Sequence, residues 1–216
     1  MEEHYIVQVQ SQVQGLVDDL KAVFTHAGLA GEAAEYKLLT QSFLYKFLND
    51  KFLYEALNID ESYDYQGLLN LSEEDYDWFL DDIGTKTAHL KPEQLIESLH
   101  RQQNQADFAE IFEQTLNQIA IDNNAIFSVH TDGGTDIRLF DQRLITDTIS
   151  DASKRNEVAA SIINLLARVK FDQQIFSQGF DFFSTLFEYM IKDYNKDGGG
   201  KYAEYYTPHS VAKIIA

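Results

Sequence analysis

The sequence predicts a mainly α protein, and three observations carry that expectation. Apolar residues recur three and four apart along most of the chain, proline occurs only at Pro92 and Pro208, and residues that start or stop helices stand where the apolar stripes begin and end. A chain nearly free of proline keeps its i to i−4 hydrogen-bond ladders, and the 3.6-residue repeat of apolar side chains gives each helix a face to bury. With 216 residues and 44% hydrophobic content the chain can build a core, as one domain or one domain and a piece of a second.

The first stripe, over residues 12–27, comprises Val13, Leu16, Val17, Leu20, Val23 and Phe24, with Gly28 and Gly31 as stop and turn. Residues 33–57 form the clearest helix: Leu38, Leu39, Phe43, Leu44, Phe47, Leu48, Phe52, Leu53 and Leu57 make a stripe so wide that the helix must be buried. A polar, Tyr-rich connection follows. Ser72, with Glu73, Glu74 and Asp75 behind it, reads as a cap ahead of Tyr76, Trp78, Phe79 and Ile83. Pro92 suits the first turn of a helix carrying Leu95, Ile96 and Leu99, and Asp107 suits the cap of one carrying Phe108, Ile111, Phe112, Leu116 and Ile119.

Between residues 123 and 140 the pattern changes. Asp132, Gly133 and Gly134 supply turn chemistry between Ile126-Phe-Ser-Val129 and Ile137-Arg-Leu-Phe140, which suits one short β-hairpin. Helical patterning resumes near Asp141, with Val158, Ile162, Ile163, Leu165, Leu166 and Val169 on one stripe. A further helix is expected over residues 180–194, ended by Gly198, Gly199 and Gly200. Thr207 then reads as an N-cap and Pro208 as a first helical residue. The pattern breaks off inside that helix, at Val211, Ile214, Ile215 and Ala216, and is expected to continue in a longer chain.

Charge and composition exclude several classes. A formal charge of −18 argues against an autonomous DNA binder, because phosphate contacts need clustered Lys and Arg. Between Phe52 and Thr85 there is no Lys or Arg, while Glu55, Asp60, Glu61, Asp64, Glu73, Glu74, Asp75, Asp77, Asp81 and Asp82 crowd together. This run reads first as a solvated face, and otherwise as a surface for a basic partner or one that keeps DNA away. The absence of cysteine rules out disulfides and thiolate metal sites, and the start, Met1-Glu-Glu-His-Tyr5, lacks the basic and apolar parts of a secretory signal. No apolar run approaches the roughly 20 residues of a membrane span. A cytoplasmic location is expected.

Residues 198–208, reading Gly-Gly-Gly-Lys-Tyr-Ala-Glu-Tyr-Tyr-Thr-Pro, resemble the glycine-rich loop and F/Y-T-P motif of N6-adenine DNA methyltransferases. The helix expected before them looks like the one that modification subunits of type I restriction-modification systems place there. A second stretch, residues 35–50, reading Glu-Tyr-Lys-Leu-Leu-Thr-Gln-Ser-Phe-Leu-Tyr-Lys-Phe-Leu-Asn-Asp, is similar to a helix in the amino-terminal domain of those subunits. The resemblance implies a helical amino-terminal domain over residues 1–168, followed over 169–216 by the first helical segment of a truncated, Rossmann-like methyltransferase domain. It also implies S-adenosylmethionine as cofactor, touched by Glu204, Tyr205, Tyr206, Thr207, Pro208 and His209. A helix start offers N–H groups to its carboxylate, and aromatic rings suit its sulfonium or its base. The implied partners are DNA, the specificity subunit and a second modification subunit, with the restriction subunit as a further candidate. The family's catalytic tetrapeptide needs adjacent prolines, so the resemblance implies that this stretch has no catalytic residue and cannot methylate by itself.

Two other readings compete. One is an acidic helical interaction module without enzymatic activity, such as a DNA mimic. The other is calcium binding: Asp193, Asn195, Asp197, Gly198 and Glu204 satisfy the simple EF-hand spacing, although Gly200 replaces the usual apolar residue and Pro208 interrupts the exit helix. Lys201 precedes Tyr202, so the glycine run is no phosphate loop, and the six histidines lack the spacing of a zinc site.

Overall fold

A computed structural model describes residues 2–127, 139–171, 173–177 and 189, and those residues are mainly α-helical, with no strand among them. Helix α1 spans Glu2–His26. It starts earlier than the stripe over 12–27 suggests, because Val9 lies on the same buried face as Val13, Leu16, Val17, Leu20 and Phe24. Its end is a Schellman turn: the Leu29 N–H reaches the Phe24 carbonyl at 2.9 Å and the Gly28 N–H reaches that of Thr25 at 3.0 Å. Gly28 adopts φ +90°, a conformation that costs glycine no Cβ clash.

Helix α2, Ala33–Ile59, is the buried helix that the wide stripe requires. The connection after it contains an element the sequence reading missed, the short helix α3 over Tyr65–Asn70. The Asp64 carboxylate accepts the Gly67 N–H at 2.8 Å, and Tyr65 and Leu68 are buried. A side chain at residue 67 is sterically barred, since a Cβ there would lie 1.8 Å from the Ser62 carbonyl oxygen. Helix α4, Glu73–Ile83, begins at the expected cap, with the Asp75 N–H donating to Ser72 Oγ at 3.2 Å.

Pro92 starts a 3₁₀ turn, Pro92–Gln94, and not a longer helix. Leu95 is extended (ψ 147°), and helix α5 runs only over Ile96–Gln102. The break has a tertiary cause: the Ile96 N–H donates to Asn49 Oδ1 of α2 at 2.9 Å. Helix α6 covers Phe108–Asp122. Asp107 makes no side-chain cap there, contrary to expectation, and Asn156 takes that role from a distance, accepting the Ala109 N–H at 2.8 Å.

Helix α7, Asn124–Phe127, places Ile126 and Phe127 in helix where the hairpin reading expects strand, and Leu139 and Phe140 form a bend; residues 128–138 of that hairpin lie outside the described residues. Helix α8 spans Leu144–Thr148, α9 spans Arg155–Arg168 and α10 spans Gln173–Ser177. Helix α9 packs against α1, α2, α5, α6 and α8, while α2 packs against α1, α4, α8 and α10. One apolar core therefore lies around these two helices, with Phe24, Phe52, Phe108, Phe112, Phe140 and Ile162 wholly enclosed. Among the described residues no helix is long and apolar enough to cross a membrane.

Candidate functional site

The stretch 35–50 lies within the first two-thirds of α2, and its polar residues tie that helix to three distant parts of the chain. In a helix buried this fully, polar side chains must find partners or cost stability. Near its start, Gln41 pairs its amide with Asp141, donating to the carboxylate at 2.6 Å and accepting the Asp141 N–H at 3.0 Å. Lys37 reaches the same carboxylate at 2.8 Å. One turn on, the Tyr45 hydroxyl donates to the Gln94 carbonyl at 2.6 Å, and Asn49 takes the Ile96 N–H.

The end of the stretch carries a buried ionic node. Lys46 and Asp50 are 3% and 8% exposed, one helical turn apart, with Nζ at 3.0 Å and 2.9 Å from the two carboxylate oxygens. The Asn49 amide donates to Asp50 Oδ1 at 2.8 Å, and the Phe171 N–H donates to Oδ2 at 3.1 Å. Lys46 also stands 5.5 Å from the centre of the Phe171 ring. Burial pushes the Lys46 ammonium below the ordinary lysine pKa, and the Asp50 charge and hydrogen bond pull it partly back. A carboxylate that accepts three donors in a dry site is fixed in position, so Asp50 sets the register of the backbone at Phe171.

The same face of α2 continues the dock. Phe47 and Tyr54 flank the Phe176 ring of α10 with centroid distances of 5.9 Å and 5.3 Å. Lys51 lies between them, 4.7 Å from the Tyr54 centroid and 5.5 Å from that of Phe176, while bonding Glu55 at 2.5 Å. Lys46, Phe47, Asp50, Lys51 and Tyr54 form one helical stripe. It contacts Phe171 and Phe176, near the start of the segment, 169–216, to which the resemblance at residues 198–208 belongs.

The residues expected to touch cofactor, Glu204, Tyr205, Tyr206, Thr207, Pro208 and His209, lie outside the described residues, as do the glycine run and the EF-hand spacing. Of the helix expected over 180–194 the structure describes Tyr189, which is helical and donates its hydroxyl to Asp18 of α1 at 2.7 Å. Two of the six histidines are half-buried and bonded: His89 Nε2 lies 2.6 Å from the Gly84 carbonyl and His100 Nε2 lies 3.0 Å from Asn164 Oδ1. Among the described residues no group of three His, Asp or Glu could hold a metal. A shallow cleft of about 380 Å³ separates the end of α1 from the start of α9, between His26, Lys154 and Glu157. Its mixed charges give it no preference for one ligand class.

No protein-family model, no curated protein and no solved structure matches this chain.

Proposed function

We propose that the chain is the amino-terminal part of the modification subunit of a type I restriction-modification system, a site-specific adenine DNA methyltransferase in its complete form. One observation carries the reading beyond the two sequence resemblances. The helix that holds residues 35–50 binds, through Asp50, the backbone N–H of Phe171, next to the expected boundary between the two domains. The contact supports the reading because it lies where the helical domain is expected to end and the second domain to begin.

On this reading the helical domain, residues 1–168, is a scaffold that positions the start of a Rossmann-like domain. S-adenosylmethionine would supply the methyl group for adenine N6. Tyr205 and Tyr206 would offer ring faces, and the amino terminus at Thr207 would offer N–H groups. The adjacent-proline tetrapeptide that performs transfer in this family is not among these 216 residues. DNA, the specificity subunit and a second modification subunit would be the partners. Basic surfaces on those proteins or elsewhere in the subunit would carry the phosphate contacts, because this stretch has a charge of −18.

The test is S-adenosylmethionine binding by the complete modification polypeptide, followed by calorimetry. Tyr206→Ala is expected to weaken binding roughly tenfold, the scale of losing one desolvated aromatic contact to a cation. Absence of binding by the unaltered polypeptide, or equal binding by both, contradicts the proposal.

A further inference from the structure

Helix α4 carries the only tryptophan of the chain on its outer side, where Trp78 is 69% exposed. Positions three and four residues away on a helix share a face, and for Trp78 those positions are Glu74, Asp75, Asp81 and Asp82. All four are exposed. None has a Lys or Arg partner among the described residues, and Asp75 accepts only the Ser72 hydroxyl, at 2.6 Å.

The opposite side of α4 fixes this face in place. Tyr76, Phe79 and Ile83 are buried, and the Tyr76 hydroxyl donates to the Leu90 carbonyl. The Phe79 ring meets those of Phe52 and Tyr63 edge-on, at 5.8 Å and 5.0 Å. A partner that docks here orders little that is not already ordered, which is the condition for an aromatic anchor to yield net affinity.

The chemistry of the face selects what can cover it. An indole ring attracts a cation over its surface, and a planar guanidinium can stack on it while its edge donates to carboxylates; an ammonium offers only a point charge. Phosphate is repelled by the same carboxylates. We propose that the outer face of α4 docks an arginine-bearing segment of a protein partner, with Trp78 as stacking platform and Glu74, Asp75, Asp81 and Asp82 as the rim that pairs its guanidinium groups. This inference stands independently of the methyltransferase reading, since it uses only α4.

Any polycation is drawn to a chain of this charge, so the test must separate the Trp78 face from diffuse attraction. The 216-residue chain is titrated with labelled octa-arginine and octa-lysine peptides, reading peptide anisotropy and the emission of the single tryptophan. Octa-arginine is expected to quench Trp78 emission at saturation and to bind roughly fivefold more tightly than octa-lysine, and Trp78→Ala, which leaves the charge unchanged, should erase that preference. Asp81→Asn with Asp82→Asn should weaken octa-arginine binding more than removal of two distant charges by Asp19→Asn with Glu110→Gln. Circular dichroism verifies that every variant keeps its helices. Unchanged emission at saturation, equal affinities for the two peptides, or equal effects of the two paired substitutions would overturn the proposal.

Discussion

Asp50 is the residue on which most depends. Removing one member of a buried ion pair leaves the other charged and unpaired, so Asp50→Ala is expected to cost ~3–5 kcal/mol in denaturant unfolding. The Phe171 amide should also exchange its hydrogen faster than amides within α9, because its acceptor is gone. A loss below about 1 kcal/mol, within the range of an exposed pair, would show that the node contributes little. Tyr45 and Tyr76 predict the response to alkali. Burial raises both phenols above the ordinary value of 10.0, and each donates to a backbone carbonyl. A phenol with a raised folded pKa binds its proton more tightly in the native state, so its contribution is complete below about pH 10 and is lost as pH rises further. Lys46 acts in the opposite sense: its lowered pKa makes stability rise with pH up to the ordinary lysine value. Burial raises Tyr36 as well, so with three tyrosines against one lysine stability should fall above pH 10, and Tyr45→Phe with Tyr76→Phe should flatten most of that fall. Unfolding midpoints at pH 8, 9, 10 and 11 measure it, and an unaltered slope in the double variant would contradict the assignment.

At the scale of elements, what was legible in the sequence is what local chemistry decides. Helix α2 and the start of α4 follow from stripe width and from Ser72, and the Gly28 stop follows from the need for positive φ. The missed features have distant causes. Helix α5 is cut short because Asn49, 47 residues earlier, takes the Ile96 N–H. The start of α6 is held by Asn156, 47 residues later, which accepts the Ala109 N–H and donates to the Ala106 carbonyl. Asn156→Ala is therefore expected to destabilise by about 1 kcal/mol, the usual value of a helix cap, whereas Asp107→Ala should be nearly neutral. The reverse ranking in thermal unfolding would restore the cap read from the sequence. The candidate site divides the same way. Residues 35–50 stand out by resemblance, and polar positions such as Lys46, Asn49 and Asp50 within so wide an apolar stripe signal a buried network. Their partners do not, because Phe171 lies 121 residues from Asp50.

At the scale of the molecule, the described helices share one core around α2 and α9 in a chain of strongly negative charge, and that charge sets the division of labour proposed for the subunit. At a charge of −18 this chain alone should bind duplex DNA weakly if at all, with little dependence on salt. Tight binding that falls steeply with salt would place phosphate contacts on this stretch and refute that division. The methyltransferase reading is tested most directly by transfer itself. The complete modification polypeptide, assembled with its specificity subunit, is supplied with S-adenosylmethionine labelled on the methyl group and with duplex DNA. Label is expected in N6-methyladenine, reduced by roughly tenfold with Tyr206→Ala at cofactor concentrations below the dissociation constant, while the helical content of the protein persists. Label on another base, or no incorporation by an assembled and folded complex, would contradict it.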